Sequence, residues 1–207
     1  METTQQWHTR NQTLATIKQR RSIRMFTDDP IADEDLLTVL KAANKAPSAH
    51  NQQSWRFMVI RGEKKRELVE LVNSRAVEFP KSSSVLLRMA SRTMASAPAV
   101  IAVANTGDLI EHGTQLFQID KAAAHDFFRT MEIQSSAAAV QNLLLAATSL
   151  GLATVWLGIL FLIKDEVLTL LGEPKGEFMA VIPIGYPHKE TKGPTKRPLE
   201  TIVKYLD

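Results

Sequence analysis

The sequence predicts a single layered domain that mixes α-helices and β-strands. Three observations carry this. Helix-like and strand-like patterns alternate irregularly along the chain instead of falling into blocks. The stretch "AVIAVA", residues 99–104, is a continuous apolar run, as expected of a strand covered on both faces. Residues 122–150 are rich in alanine and leucine and predict one long helix with a wide apolar face. A chain of 207 residues has the size of one domain with a substantial core. No repeat, linker or low-complexity segment divides it, so one domain over residues 1–207 is expected, ending in an arm from about 190 to 207.

The elements follow in order. Thr13 precedes "LATIKQRR", a short helix pattern with Leu14 and Ile17 three apart. "SIRMF" then reads as extended chain. Asp33 is placed to cap a helix reaching Asn44, with Leu36, Leu37, Leu40 and Ala43 on one face, and Pro47 ends it. "WRFMVI", residues 55–60, alternates as a strand does. Residues 64–73 form an amphipathic helix pattern, and residues 85–97 a further one that Pro98 stops. Residues 105–120 hold Gly107 and Gly113 and read as a loop. Gly151 is a stop for the long helix. A short helix over 164–171 is closed by Gly172, and "FMAVIPIG", residues 178–185, is a strand. Leu199, Ile202 and Val203 are placed to anchor the C-terminal arm to the body.

Composition narrows the chemistry. The net charge of +3, from lysines and arginines spread along the chain, is too small to argue for nucleic acid as a partner. The chain has no cysteine, which excludes disulfides, thiolate catalysis and cysteine-ligated metal clusters. Its N-terminal stretch is polar, and no run of about 18 apolar residues predicts a membrane span, so a cytoplasmic protein is expected. Dinucleotide-fingerprint, phosphate-loop, nucleophile-elbow and zincin motifs are all missing, and the five histidines are scattered singly, so no metal site is expected.

What remains is a pair of short stretches. In "RRSIRMF", residues 20–26, an extended chain places Arg20, Ser22 and Arg24 on one face and Arg21 on the other with Ile23. Two guanidinium forks and a hydroxyl suit a phosphate group, and Arg21 is counted with this cluster. A solvated basic surface is the alternative. Near the C-terminus, prolines stiffen the segment that carries Arg197. "APSAHNQQSWRF", residues 46–57, offers Pro47, Ser48, Ala49 and Asn51 in a turn whose short polar groups could read the edge of a heterocycle; a plain helix-to-strand connection is the alternative. "TVWLG" sets Leu157 beside Gly158, where a ligand can approach the backbone closely.

Taken together, R-R-S-I-R, A-P-S-A-H-N-x-Q-x-W-R-F, G-L-A-T-V-W-L-G, P-I-G-Y-P and K-R-P-L-E-T-I-V, in this order from about residue 14 to 203, resemble the nitroreductase family of FMN-dependent oxidoreductases. The resemblance implies an α+β fold: a central, mainly antiparallel sheet flanked by helices, in an intertwined homodimer with FMN at the interface. It places Arg20, Ser22, Arg24 and Arg197 at the FMN phosphate. Pro47, Ser48, Ala49 and Asn51 would reach the flavin from the partner subunit, and Leu157 and Gly158 would present a backbone amide to flavin N5. Arg92 would lie near the pyrimidine edge, with Arg88 its rival. The implied activity passes hydride from NADH or NADPH through flavin N5 to a small-molecule acceptor such as a nitroaromatic, quinone or flavin, by ping-pong turnover. No side chain is required as acid or base. The alternatives are another reaction on the same flavin fold, whose members also dehalogenate aromatics or cleave reduced FMN, and a non-catalytic flavin-binding or redox-sensing protein. The chain departs from the family pattern at Ser54, where proline is frequent, and over 105–128, the border of the implied substrate channel.

Overall fold

The computed structural model describes residues 7–116, 120–189 and 191–206. Residues 117–119 of the 105–128 region, and residues 190 and 207 of the expected arm, lie outside them. Four antiparallel strands form one sheet in the order β1-β2-β4-β3: β1 (Trp55–Ile60), β2 (Ala99–Asn105), β3 (Ala153–Thr154) and β4 (Glu177–Gly185). Helices α1 (Gln12–Gln19), α2 (Asp33–Ala43), α3 (Gly62–Arg75), α4 (Lys81–Ser96), α5 (Asp108–Leu116), α6 (Lys121–Ser149) and α7 (Lys164–Leu170) surround it. Helices and an antiparallel sheet in one layered unit make this an α+β fold.

The apolar run of β2 now has its reason. Val100, Ala102 and Ala104 face one core, shared with Leu68, Val72, Leu87, Met94 and Val167 of α3, α4 and α7. Ala99, Ile101 and Val103 face a second core with Leu36 and Val39 of α2 and Val140, Leu143 and Ala147 of α6. Helices cover both faces, so neither face of the strand tolerates polar residues. Opposite Val103 and Ala104, β4 has an extra residue, Met179. This bulge breaks the alternation, and Phe178 joins the first core while Ala180 joins the second.

Three boundaries differ from the sequence expectation. Helix α1 begins at Gln12, two residues before the expected Leu14, and Asn11 caps it: its Oδ1 accepts the Leu14 N–H at 3.0 Å. Asp33 is the first residue of α2 and Ala32 its cap. The expected loop over 105–120 contains α5. Gly113 suggested a loop, yet it sits inside the helix because a Cβ there would collide with the Phe128 ring of α6. This glycine serves close helix packing, which local sequence does not distinguish from a turn. The arm also differs: Leu199 and Ile202 are 61% and 62% exposed, so the body of this chain does not cover them.

Candidate functional site

Residues 20–26 run as an extended segment beside the β3 edge. Ser22 bridges Thr154 in parallel, and the Ile23 N–H donates to the Thr154 carbonyl at 3.0 Å. Ile23 and Phe26 turn inward onto Ala97 and Ala153, which leaves Ser22 and Arg24 on the exposed side. The side chains of Arg20, Ser22 and Arg24 have no hydrogen-bond or ion-pair partner among the described residues. Arg21 differs. Its Nη1 donates to the carbonyls of Lys18 (2.5 Å) and Arg20 (2.8 Å), and its side chain packs against Gly193 of the arm. Arg21 thus closes the end of α1 and ties the arm down, while the other two arginines remain available. Arg197 lies four residues beyond Gly193, within about 14 Å of it even in a fully extended chain. Its guanidinium also has no partner among the described residues.

The same edge continues past β3. The Leu157 N–H donates to the Val181 carbonyl at 2.9 Å, so that amide is occupied. Gly158, exposed, keeps an N–H with no partner among the described residues, and a Cβ there would meet nothing within 4 Å. Of the two residues expected to present an amide, only Gly158 has one to offer. Thr154 and Gly158 are four residues apart, about 13 Å of extended chain. A phosphate at Arg20 and Arg24 and a ring at Gly158 would therefore lie along one edge.

On α4, Arg92 and Arg88 are both exposed. Arg88 Nε approaches Ser84 Oγ at 3.5 Å, whereas Arg92 has no partner among the described residues. Arg92 is one turn, about 6 Å, nearer to the helix end where Ala97 packs against Ile23.

The loop from Pro47 to Gln53 is built differently. His50, Asn51 and Gln53 have φ of 53°, 52° and 52°, a left-handed conformation that non-glycine residues hold only when their surroundings enforce it. The enforcing contacts are visible. Ser48 Oγ accepts the Gln53 N–H at 3.0 Å, and Gln53 Nε2 donates to the Asn51 carbonyl and Oδ1, both at 3.2 Å. The Ala49 N–H donates to Ser135 Oγ on α6 at 3.1 Å, and the His50 ring lies 6.5 Å from that of Phe128. Asn51 and Pro47 are exposed. Gln53 and Ser135 were not among the sequence candidates; Gln53 stands in the quoted A-P-S-A-H-N-x-Q-x-W-R-F stretch without a role given to it, and no motif marks Ser135, whose contact with Ala49 spans 86 residues of sequence.

These groups do not converge within one chain. Trp55, just after the loop, is opposite Asn105, which is opposite Glu177 at the start of β4. Thr154, beside Ser22, is opposite Ile184 near the end of β4. The two segments are therefore roughly 20–25 Å apart along the strands, and on opposite edges of the sheet.

Near the start of β4 a cavity of about 350 Å³ opens between α6, α7 and the turn into β4. Arg129, Glu132, Phe161, Lys164, Lys175 and Phe178 line it. Glu177 Oε1 accepts from Arg129 Nε at 2.7 Å and pairs with its Nη2. Glu132 is 1% exposed, and its Oε1 accepts the Leu109 N–H at 2.8 Å. Burial pushes its carboxyl above the usual range, while the amides at the start of α5 and the facing Ser54 hydroxyl act against that shift.

A family model of the nitroreductases matches residues 17–186, most of the chain, from the last turn of α1 to the end of β4 and without the arm. The chain belongs to the nitroreductase family. A nitroreductase relative from Archaeoglobus fulgidus, provisionally named as an NADH dehydrogenase/NAD(P)H nitroreductase, is 33% identical over 182 residues, 86% of each chain. The 5,6-dimethylbenzimidazole synthase of Rhodospirillum rubrum is 27% identical over 183 residues, 85% of this chain and 82% of its own. A nitroreductase-type protein of Desulfovibrio desulfuricans, solved in complex with FMN, superposes with a TM-score of 0.68 at 27% identity, over 95% of this chain and 98% of that one.

Proposed function

We propose that this protein is an FMN-dependent oxidoreductase that takes hydride from NADH or NADPH and passes it to small electron-poor acceptors such as nitroaromatics, quinones or flavins. The observation that carries the reading is the β3 edge: Arg20 and Arg24 flank Ser22 where it bridges Thr154, and the Gly158 amide is about 13 Å further on, none of the three with a partner among the described residues. These groups fit a ligand with a phosphate at one end and a hydrogen-bonding ring at the other. When bound, FMN supplies the two-electron redox chemistry. The chain's own residues bind and orient. Arg20, Ser22, Arg24 and Arg197 hold the phosphate through charge-assisted hydrogen bonds. The Gly158 N–H donates at the ring's N5 edge, and Arg92 places positive charge near the pyrimidine edge.

The site is completed by a second copy of the chain. Ser48 and Asn51 sit at the far end of the sheet from Ser22, so the loop that meets one chain's phosphate arm is the partner subunit's. The strained loop and the uncovered Leu199 and Ile202 of the arm support a homodimer in which both are covered.

The test is direct. Purified protein should be yellow and release FMN, not FAD, on heating. Oxidation of NADH or NADPH should depend on an added quinone or nitroaromatic, with parallel double-reciprocal lines. Colourless protein that also fails to take up added FMN would overturn the reading. A flavoprotein that does not turn over NAD(P)H with any acceptor would be a binding or sensing protein. The likeness to the dimethylbenzimidazole synthase supports a second reading, cleavage of the flavin itself, and a benzimidazole among the products would establish it.

A further inference from the structure

The cavity at the start of β4 plays no part in holding FMN in the scheme above, yet it adjoins that site. Phe161, on its wall, donates its N–H to the Gly158 carbonyl at 3.0 Å, one tight helical turn away. Phe161 and Phe178 meet edge to face, 6.4 Å between ring centroids at 69°. Phe178 is on this side only because of the bulge at Met179. Phe161 itself is 49% exposed, an aromatic wall without a cover. At about 350 Å³ the cavity is the size of a small-ligand pocket.

Its charges do not cancel. Arg129 is paired with Glu177, which also faces Asn105 Nδ2 at 3.5 Å. Lys164 Nζ bonds Asp165 at 2.8 Å and lies 5.8 Å from the Phe161 centroid. Asp165 is 82% exposed, so this pair is screened by water and holds Lys164 only weakly. Lys175, exposed, has no partner among the described residues. Burial disfavours a charge on Glu132. His125, the remaining titratable group of the lining, faces Asp126 at 3.8 Å. The net result is an aromatic wall with two lysine ammonium groups in the same lining.

We infer that this cavity is a subsite for a small aromatic carboxylate, its ring against Phe161 and its carboxylate on Lys175 and Lys164. As a binding site it stands on the cavity alone; as the place of an electron acceptor's acidic group it rests on the proposed function.

Calorimetric titration of the FMN-loaded protein with benzoate, its uncharged analogue benzamide and inorganic phosphate tests the binding. Benzoate should bind about tenfold tighter than benzamide, the worth of one charge-assisted hydrogen bond. The double variant Lys164→Ala/Lys175→Ala should remove that preference, and Phe161→Ala should weaken both aromatic ligands alike. Both lysines are at the surface, so the double variant keeps the fold. Equal binding of benzoate and benzamide, or a preference that survives the double variant, overturns the site. Phosphate binding as tight as benzoate overturns its aromatic half. Kinetics then separate acceptor from donor. Reduction of a nitro to a nitroso group consumes one hydride from NAD(P)H and one proton and releases water. The kcat/KM ratio of 4-nitrobenzoate to nitrobenzene should fall about tenfold in the double variant, with the NADPH to NADH ratio unchanged. A fall in the donor ratio instead assigns the lysines to the donor's phosphate and overturns the acceptor role. If benzoate preference holds but no acceptor is reduced, the oxidoreductase reading fails and the subsite stands; the reverse result fails the subsite alone.

Discussion

Ser22 and Asn51 belong to diagonally opposite corners of the sheet: the strand positions next to them, Thr154 and Trp55, are roughly 20–25 Å apart along the strands. On the proposed reading each FMN therefore meets Ser22 of one chain and Asn51 of the other. Mixing two defective chains tests this. Co-expressed Arg24→Ala and Asn51→Ala should form mixed dimers in which one site carries both defects and the other neither. Purified mixed dimers should recover about half the wild-type activity, as the two-fold arrangement of two independent sites requires. No recovery, with both homodimeric variants clearly impaired, would mean that each chain builds its own site.

Arg24→Ala and Arg197→Ala should each weaken FMN binding roughly ten- to a hundredfold, at about 1.5–3 kcal/mol per lost charged contact. Arg21→Ala should behave differently. Its guanidinium serves the carbonyls of Lys18 and Arg20 and the arm at Gly193, so its loss should lower thermal stability more than it changes FMN affinity. Fluorescence titration of apoprotein with FMN, beside a melting curve, distinguishes the two classes.

Two glycines should respond in opposite ways to alanine. At Gly113 the added methyl meets the Phe128 ring, and overpacking of this kind costs about 1–3 kcal/mol. In a chain of this size that lowers Tm by roughly 2–4 °C per kcal/mol. At Gly158 the methyl enters open space, so Tm should stay within about 1 °C while FMN affinity falls, because on the proposed reading the ring takes that space. A Gly158→Ala variant that binds FMN normally would remove this residue from the site.

Glu132 sets a pH dependence. Burial raises its carboxyl, so the folded protein holds this proton more tightly than the unfolded chain does. Stability is then fully present below the ordinary carboxylate range and is lost as pH rises from there through the raised folded value. Glu132→Gln keeps an acceptor for the Leu109 N–H and has no proton to lose. Its Tm advantage over wild type should grow from about pH 4 upward and then level off above the folded pKa. A constant difference across that range would show that Glu132 does not titrate abnormally.

The sequence by itself determined the elements whose cause is local or periodic. The apolar run at 99–104, the alternation at 55–60 and the long alanine-rich helix each report the environment of their own side chains. Alternation alone also separated Arg20, Ser22 and Arg24 from Arg21, because an extended chain leaves no other arrangement. Wherever the cause lies across the chain, only the tertiary structure decided. Gly113 reads as a loop until Phe128 is set against it. The amide at Leu157 reads as free until β4 pairs with it, which leaves Gly158. Ser135 becomes a support for the Ala49–Asn51 turn only once α6 is packed beside it. Arg20 and Ser48, fewer than thirty residues apart in sequence, end at opposite ends of the sheet, because hydrogen-bond register, not chain distance, sets where a strand's neighbours lie.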